Sequence, residues 1–166
     1  MESKFIFKYF KDHEAGKLAR LETSDMNVPV NLFAEENTDF DLQEDEPCTV
    51  QVFSVGSNLE VFADEAAYKE KETHFAPISM IPIGLFPPQE DTHDWEESCH
   101  ILFSGKVLAS HPIENAQPNR PNTELVVETL DMTLYIGTIM DQPAEPGNFV
   151  RGVVWIYGDI KRENLQ

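Results

Sequence analysis

The chain has 166 residues, with 30 acidic side chains against 12 basic ones and a formal net charge of −18. That balance argues against unaided nucleic-acid binding, which needs clustered Lys and Arg to neutralise phosphates, and against docking on an anionic membrane surface. Eleven Phe, two Trp and four Tyr supply the apolar surface that a disordered acidic tail lacks, so the chain reads as folded.

Lys4 to Phe10 alternates, which predicts a strand with Phe5, Phe7 and Tyr9 on one face. Asp12 to Gly16 reads as a turn into Lys17–Thr23, giving a first hairpin. Val28–Phe33 is short, and Pro29 lacks an N–H, which marks an edge strand or no strand. Such an edge is a pairing site for a second copy in a homo-oligomer. Thr49–Val55 and Leu59–Ala63 flank Gly56-Ser57-Asn58 and predict another hairpin. Asp64–Glu72 is the one helical pattern: Asp64 caps it, and early acids precede Lys69 and Lys71, as the dipole prefers.

Phe75 to Pro88 is apolar but broken by prolines at 77, 82, 87 and 88, too short to span a bilayer. Cys99–Ser110 predicts a long strand in which Gly105 marks a bend or bulge. His111 to Asn122 is a loop, and Glu124–Leu130 with Thr133–Met140 forms a tight hairpin. After a turn at Gln142–Gly147, Phe149–Ile160 is apolar on both faces apart from Arg151, which predicts a central strand covered on each side.

These elements predict a mostly β, barrel-like single domain over residues 1–166 with one short helix. The loop at 87–98 is the best place for a boundary, if the chain has one. The pattern over 99–160, a long kinked strand, a hairpin and a final central strand, is similar to an oligonucleotide/oligosaccharide-binding barrel, the OB-fold. That resemblance implies five strands around a closed sheet. Here the helix precedes the kinked strand, whereas the family commonly places it between the third and fourth strands.

Met1-Glu2-Ser3-Lys4 leads into only three apolar residues before Lys8, so no secretory signal is read. Cys48 and Cys99 are the only cysteines and form no CxxC pair, which predicts free thiols in a reducing cytoplasm.

Motifs for chemistry are missing. No GxGxxG or GxxxxGK[ST] cradle occurs, and Phe103-Ser104-Gly105 lacks the preceding glycine of a nucleophile elbow. Cys99 and His100 are adjacent on a strand and point to opposite faces, so they do not act together. His13, His74 and His111 sit alone beside turn residues and read as surface groups. No catalytic residue is assigned and no cofactor is expected. Asp91, His93 and Asp94 are the candidate metal ligands, but the segment lacks EF-hand spacing, and an acidic loop anchored by Trp95 is the plainer reading.

The charge is concentrated. Residues 21–68 contain twelve acids and no Lys or Arg, and residues 72–105 contain six acids and no base. One cluster is Glu35, Glu36, Asp39, Asp41, Glu44, Asp45 and Glu46; the other is Glu90, Asp91, Asp94, Glu96 and Glu97. Solubilising loops are the plain reading of both. The functional one is a non-enzymatic protein presenting an acidic surface to a basic protein partner, as bacterial immunity proteins and nucleic-acid mimics do. The 35–46 acids are its expected contacts, with Phe33, Phe40 and Trp95 as anchors. The alternative is an OB-like module binding a small or oligomeric ligand in a groove near Tyr135, Trp155 and Tyr157. A third is a hydrolase using carboxylates or a metal at 91–97.

Overall fold

The computed structural model describes residues 1–83 and 98–163. Strands dominate them: β1 (Ser3–His13), β2 (Gly16–Thr23), β3 (Pro29–Ala34), β4 (Pro47–Val50), β5 (Val52–Val55) and β6 (Glu60–Phe62) come first. The helix α1 (Glu65–Lys71) and β7 (Ser79–Pro82) follow. Then come β8 (His100–Pro112), β9 (Thr123–Thr129), β10 (Met132–Thr138), β11 (Phe149–Gly158) and β12 (Ile160–Arg162). The chain is mostly β, as its alternating patterns predict.

Two halves share one wiring. In the first, β1, β2 and β3 form an antiparallel meander, and β4 returns antiparallel beside β1. β12 lies antiparallel against β4, while the end of β11 runs parallel to β3. In the second, β8, β9 and β10 form the meander and β11 returns antiparallel beside β8. β5 then lies antiparallel to β11 and parallel to β10. Hydrogen bonds thereby close a ring through β11, β5, β10, β9 and β8. The halves also exchange strands. β4 runs into β5 across Gln51 and β11 into β12 across Asp159, so each long run serves as fourth strand of one half and fifth of the other.

The leading strand of each meander carries a bulge, between Phe7 and Tyr9 in β1 and between Val107 and Ala109 in β8. An extra residue reverses the face of everything beyond it. Phe5 and Phe7 are buried, but Tyr9 turns outward to 44% exposure and Phe10 packs on the core in its place. The expected Phe5–Phe7–Tyr9 face is therefore broken after Phe7. One core cluster runs from Phe5 to Ile160 and gathers inward side chains of both halves; Phe62, Tyr68 and Phe149 form a second, smaller one.

The helix and the 124–140 hairpin form as expected. The Asp64 carboxylate accepts the Ala67 N–H at 2.8 Å, and Asp131 takes φ 61 at the hairpin tip. Four expectations are corrected. β3 is no edge: Pro29 only opens the strand, where its missing N–H is tolerated, and Phe33 and Ala34 pair with β11 on the far side. β6 pairs with β11 rather than β5, because β5 already has β10 and β11 on its two sides. The bulge in β8 lies beyond Gly105, whose bare Cα is instead demanded by packing: a Cβ there would stand 2.5 Å from the Glu128 carbonyl oxygen. β11 is central but covered on one face, with Val154 and Ile156 buried and Val153 42% exposed.

Candidate functional site: an aromatic row across four strands

Strand alternation sends Val52, Leu134, Ile136, Val154 and Ile156 into the core, so their neighbours in sequence point out. The registers then line those neighbours up. Tyr135 on β10 stands opposite Phe53 on β5, Phe53 opposite Tyr157 on β11, and Tyr157 opposite Phe33 on β3. Ring centroids are 5.7 Å apart for Tyr135–Phe53 and 5.9 Å for Phe53–Tyr157, whose planes lie 27° apart. Trp155 extends the row sideways, 5.6 Å from Tyr157 and 5.4 Å from Phe33. All five rings are half-buried.

The strand exchange produces this row. The row is symmetric about the antiparallel β5–β11 pair: Phe53 stands opposite Tyr157, and each has an aromatic neighbour on a parallel strand, Tyr135 on β10 and Phe33 on β3. The expected groove residues Tyr135, Trp155 and Tyr157 lie near one another on this face, while Phe103 on β8 does not join them. The structure buries Phe103 in the core and turns the other three outward. Phe53 went unrecognised as part of the site; its signal is the alternation of Val52, Ser54 and Phe53 across β5.

Carboxylates rim the row. Glu35 follows directly after β3, where its N–H donates to the Gly158 carbonyl at 2.9 Å. Burial, then the nearby Asp159 and Glu36 carboxylates, hold the Glu35 carboxyl above the ordinary glutamate range. Burial likewise raises the Tyr157 hydroxyl, and Glu35 and then Glu124 add to it. Cations already use this face. The Met1 ammonium donates to the Tyr135 hydroxyl at 2.6 Å. The Arg20 guanidinium lies 5.6 Å from the Tyr9 ring centre while its Nε donates to Asn31 Oδ1 at 2.7 Å. Beside Trp155 a cavity of about 540 Å³ is lined by Val55, Gly137, Ile139 and Val153.

The 35–46 segment proves to be a strap tied to the sheet. Its Asp39 accepts the Arg162 N–H at 2.8 Å, and Asp41 and Glu46 both pair with the Arg162 guanidinium, Asp41 at 3.2 Å. Asp45 pairs with Lys8 and donates its N–H to Phe7. Leu42 is buried, and the Asn37 N–H donates to Asp159 at 2.9 Å. Hydrogen bonding from Arg162 holds the Glu46 carboxyl below the ordinary range. Glu36 and Glu44 are exposed, while Glu35 belongs to the aromatic rim. Phe40 stands 45% exposed with its ring 5.3 Å from Phe10. Four of the seven acids, Asp39, Asp41, Asp45 and Glu46, thus have partners within the chain.

The 90–97 cluster, with Asp91, His93, Asp94 and Trp95, lies outside the described residues. Among the described residues no group of three His, Cys, Asp or Glu side chains is placed to hold a metal ion. No helix among them is long and apolar enough to cross a membrane. Cys48 and Cys99 are free and buried, and desolvation pushes both thiols up to about 12, which makes them unreactive. Cys99 is buried and His100 exposed, so the two do face apart. A second cavity, about 370 Å³, lies beside Arg151. Its charges satisfy one another: Arg151 binds Glu60 at 2.9 Å and also Glu72, which accepts the His74 and Phe75 N–H groups.

Comparison with known proteins found no matching family model, no matching curated protein and no matching solved structure.

Proposed function

We propose that the protein is a non-enzymatic binding protein that holds a basic protein partner, and that the aromatic row is the contact. One observation carries this reading: five half-buried rings lie in contact on an outward sheet face rimmed by Glu35 and Glu124, in a chain of net charge −18. Exposed aromatic clusters of this kind are where interfaces gain their affinity, while surrounding charge supplies attraction and partner choice. The 35–46 acids are weaker contacts, because Arg162 and Lys8 already neutralise Asp41, Asp45 and Glu46. The buried free thiols favour a reducing, cytoplasmic setting. The test is a titration of isotope-labelled protein with a short basic peptide, followed by amide shifts. Shifts centred on Phe53, Tyr135, Trp155 and Tyr157 support the reading. Shifts confined to residues 36–46 return the contact to the strap, and none at all at low salt removes the basic partner.

The cavity beside Trp155 favours a second reading, an OB-like module with a small or oligomeric ligand. The ring of five strands, with β5–β10 as its parallel pair, supports an OB-like closure. A nucleotide or sugar bound there would raise the melting temperature whatever the salt concentration.

A further inference from the structure

The nature of the side chain that the row selects can be taken one step further, resting on the basic-partner reading above. We propose that the row is an arginine-stacking surface: guanidinium groups of the partner lie on the Phe53 and Tyr157 rings, and Glu35 and Glu124 accept their N–H groups.

Ring geometry is the first ground. Phe53 and Tyr157 stack within 27° of parallel with centroids 5.9 Å apart, so a further planar group laid against either ring surface continues the stack. A guanidinium is planar and weakly hydrated and lies on such a surface with little loss of solvation, whereas an ammonium keeps its water.

The chain's own arrangement is the second. On the outward face, two positions before Phe33 along β3, Asn31 accepts the Arg20 Nε at 2.7 Å while the guanidinium covers the Tyr9 ring at 5.6 Å. An aromatic face plus one oxygen acceptor is the same recognition that the row offers with Glu35 and Glu124. Arg151 and Arg162 do not compete for it, since each is held by two carboxylates elsewhere.

Spacing is the third. Same-side residues of an extended peptide recur about every 6.6–6.8 Å. The rings recur at 5.7 and 5.9 Å across β10, β5 and β11, close enough for arginines at alternate positions to meet successive rings. The carboxylates stand at opposite ends: Glu35 follows β3, and Glu124 on β9 lies opposite Gly137 of β10.

The test compares two short peptides of equal length and charge, one alternating Arg with Ser and the other Lys with Ser. Each is titrated calorimetrically at low salt into the full chain. The arginine peptide is expected to bind about fivefold tighter or more, the ratio that a cation–π contact supplies. Phe53→Leu and, separately, Tyr157→Leu bring the arginine peptide down to the lysine level and leave lysine binding in place; Glu70→Gln, exposed on α1, changes neither. Equal affinity of the two peptides for the natural chain overturns the arginine inference and leaves the basic partner standing, a result that needs no variant to fold. An arginine preference that survives both leucine variants overturns it too. Failure of both peptides to bind overturns the inference and the proposed function together.

Discussion

Phe53 and Tyr157 face each other where β5 meets β11 in antiparallel register, with ring centroids 5.9 Å apart. The pair exists because the halves exchange strands. β5 continues β4 of the first meander's half, and β11 continues into β12. Neither half alone brings four outward rings into one row, so the surface is a product of the exchange.

The Tyr157 hydroxyl reports on that surface. Burial, then Glu35 and Glu124, raise it above the ordinary phenol range. A raised acid favours its neutral form in the fold, so its stabilisation is full below the unfolded value and is lost as pH climbs through the folded one. Ultraviolet titration should show the Tyr157 ionisation late, identified by its loss in Tyr157→Phe, and Glu35→Gln or Glu124→Gln should bring it earlier. An unchanged titration in both variants would place neither carboxylate at the row.

Arg162 holds the strap. Its guanidinium binds Asp41 and Glu46 and keeps the Glu46 carboxyl low. A depressed carboxyl stabilises above its unfolded value, and that share is lost as pH falls through the folded one. Arg162→Met should speed amide exchange across residues 35–46 and flatten the acid limb of the melting curve by lowering stability at neutral pH, modestly because the pair is partly exposed, with little change in acid where the share is already lost. Retained protection of the strap amides in that variant would assign the strap to its backbone bonds alone.

The local rules were legible in the sequence, and the global wiring was not. Asp64 as a cap and Asp131 at a hairpin tip depend on neighbours a few residues away, and both were readable. The face on which Tyr9 lies depends on a bulge, and a bulge leaves alternation intact while reversing its meaning. Pro29 signals an edge only if the strand continues before it; as the first residue of β3 it signals nothing about the far side. Pairing of β5 with β10 and β11, rather than with the nearby β6, is decided by partners more than eighty positions away. The ion pairs of the strap were out of reach for a related reason: Asp41 and Glu46 meet their cation, Arg162, only in the fold.

Tyr68 ties the helix to the ring. It is wholly buried, its hydroxyl 2.8 Å from Ser104 Oγ and bonded to the Phe75 and Ala76 carbonyls at 3.2 and 3.3 Å. Tyr68→Phe should cost about 1–3 kcal/mol, since Ser104 and two carbonyls lose a partner. Tyr68→Ala should cost about 3–5 kcal/mol through the added cavity. Urea unfolding measures both, and a phenylalanine variant as stable as the natural chain would show that those groups find other partners.

Gly105 and Gly137 make a matched pair of tests for packing. Both lie in strands of the closed ring, yet their surroundings differ. A Cβ on Gly105 would stand 2.5 Å from the Glu128 carbonyl oxygen and 2.6 Å from Val127 Cγ1, closer than real atoms approach. β8 is held on both sides at this point, by β9 and by Val150 of β11, so the backbone cannot yield without parting a ladder. A Cβ on Gly137 would meet Pro121 at 3.6 Å and the Ser54 carbonyl oxygen at 3.8 Å, ordinary contact distances. Gly105→Ala should therefore lose about 1–3 kcal/mol as overpacking does. Gly137→Ala should hold or gain about 0.4–1 kcal/mol, because alanine restricts the unfolded chain. Denaturant midpoints of the two variants decide it. If they coincide, close approach of β9 is not what reserves position 105 for glycine.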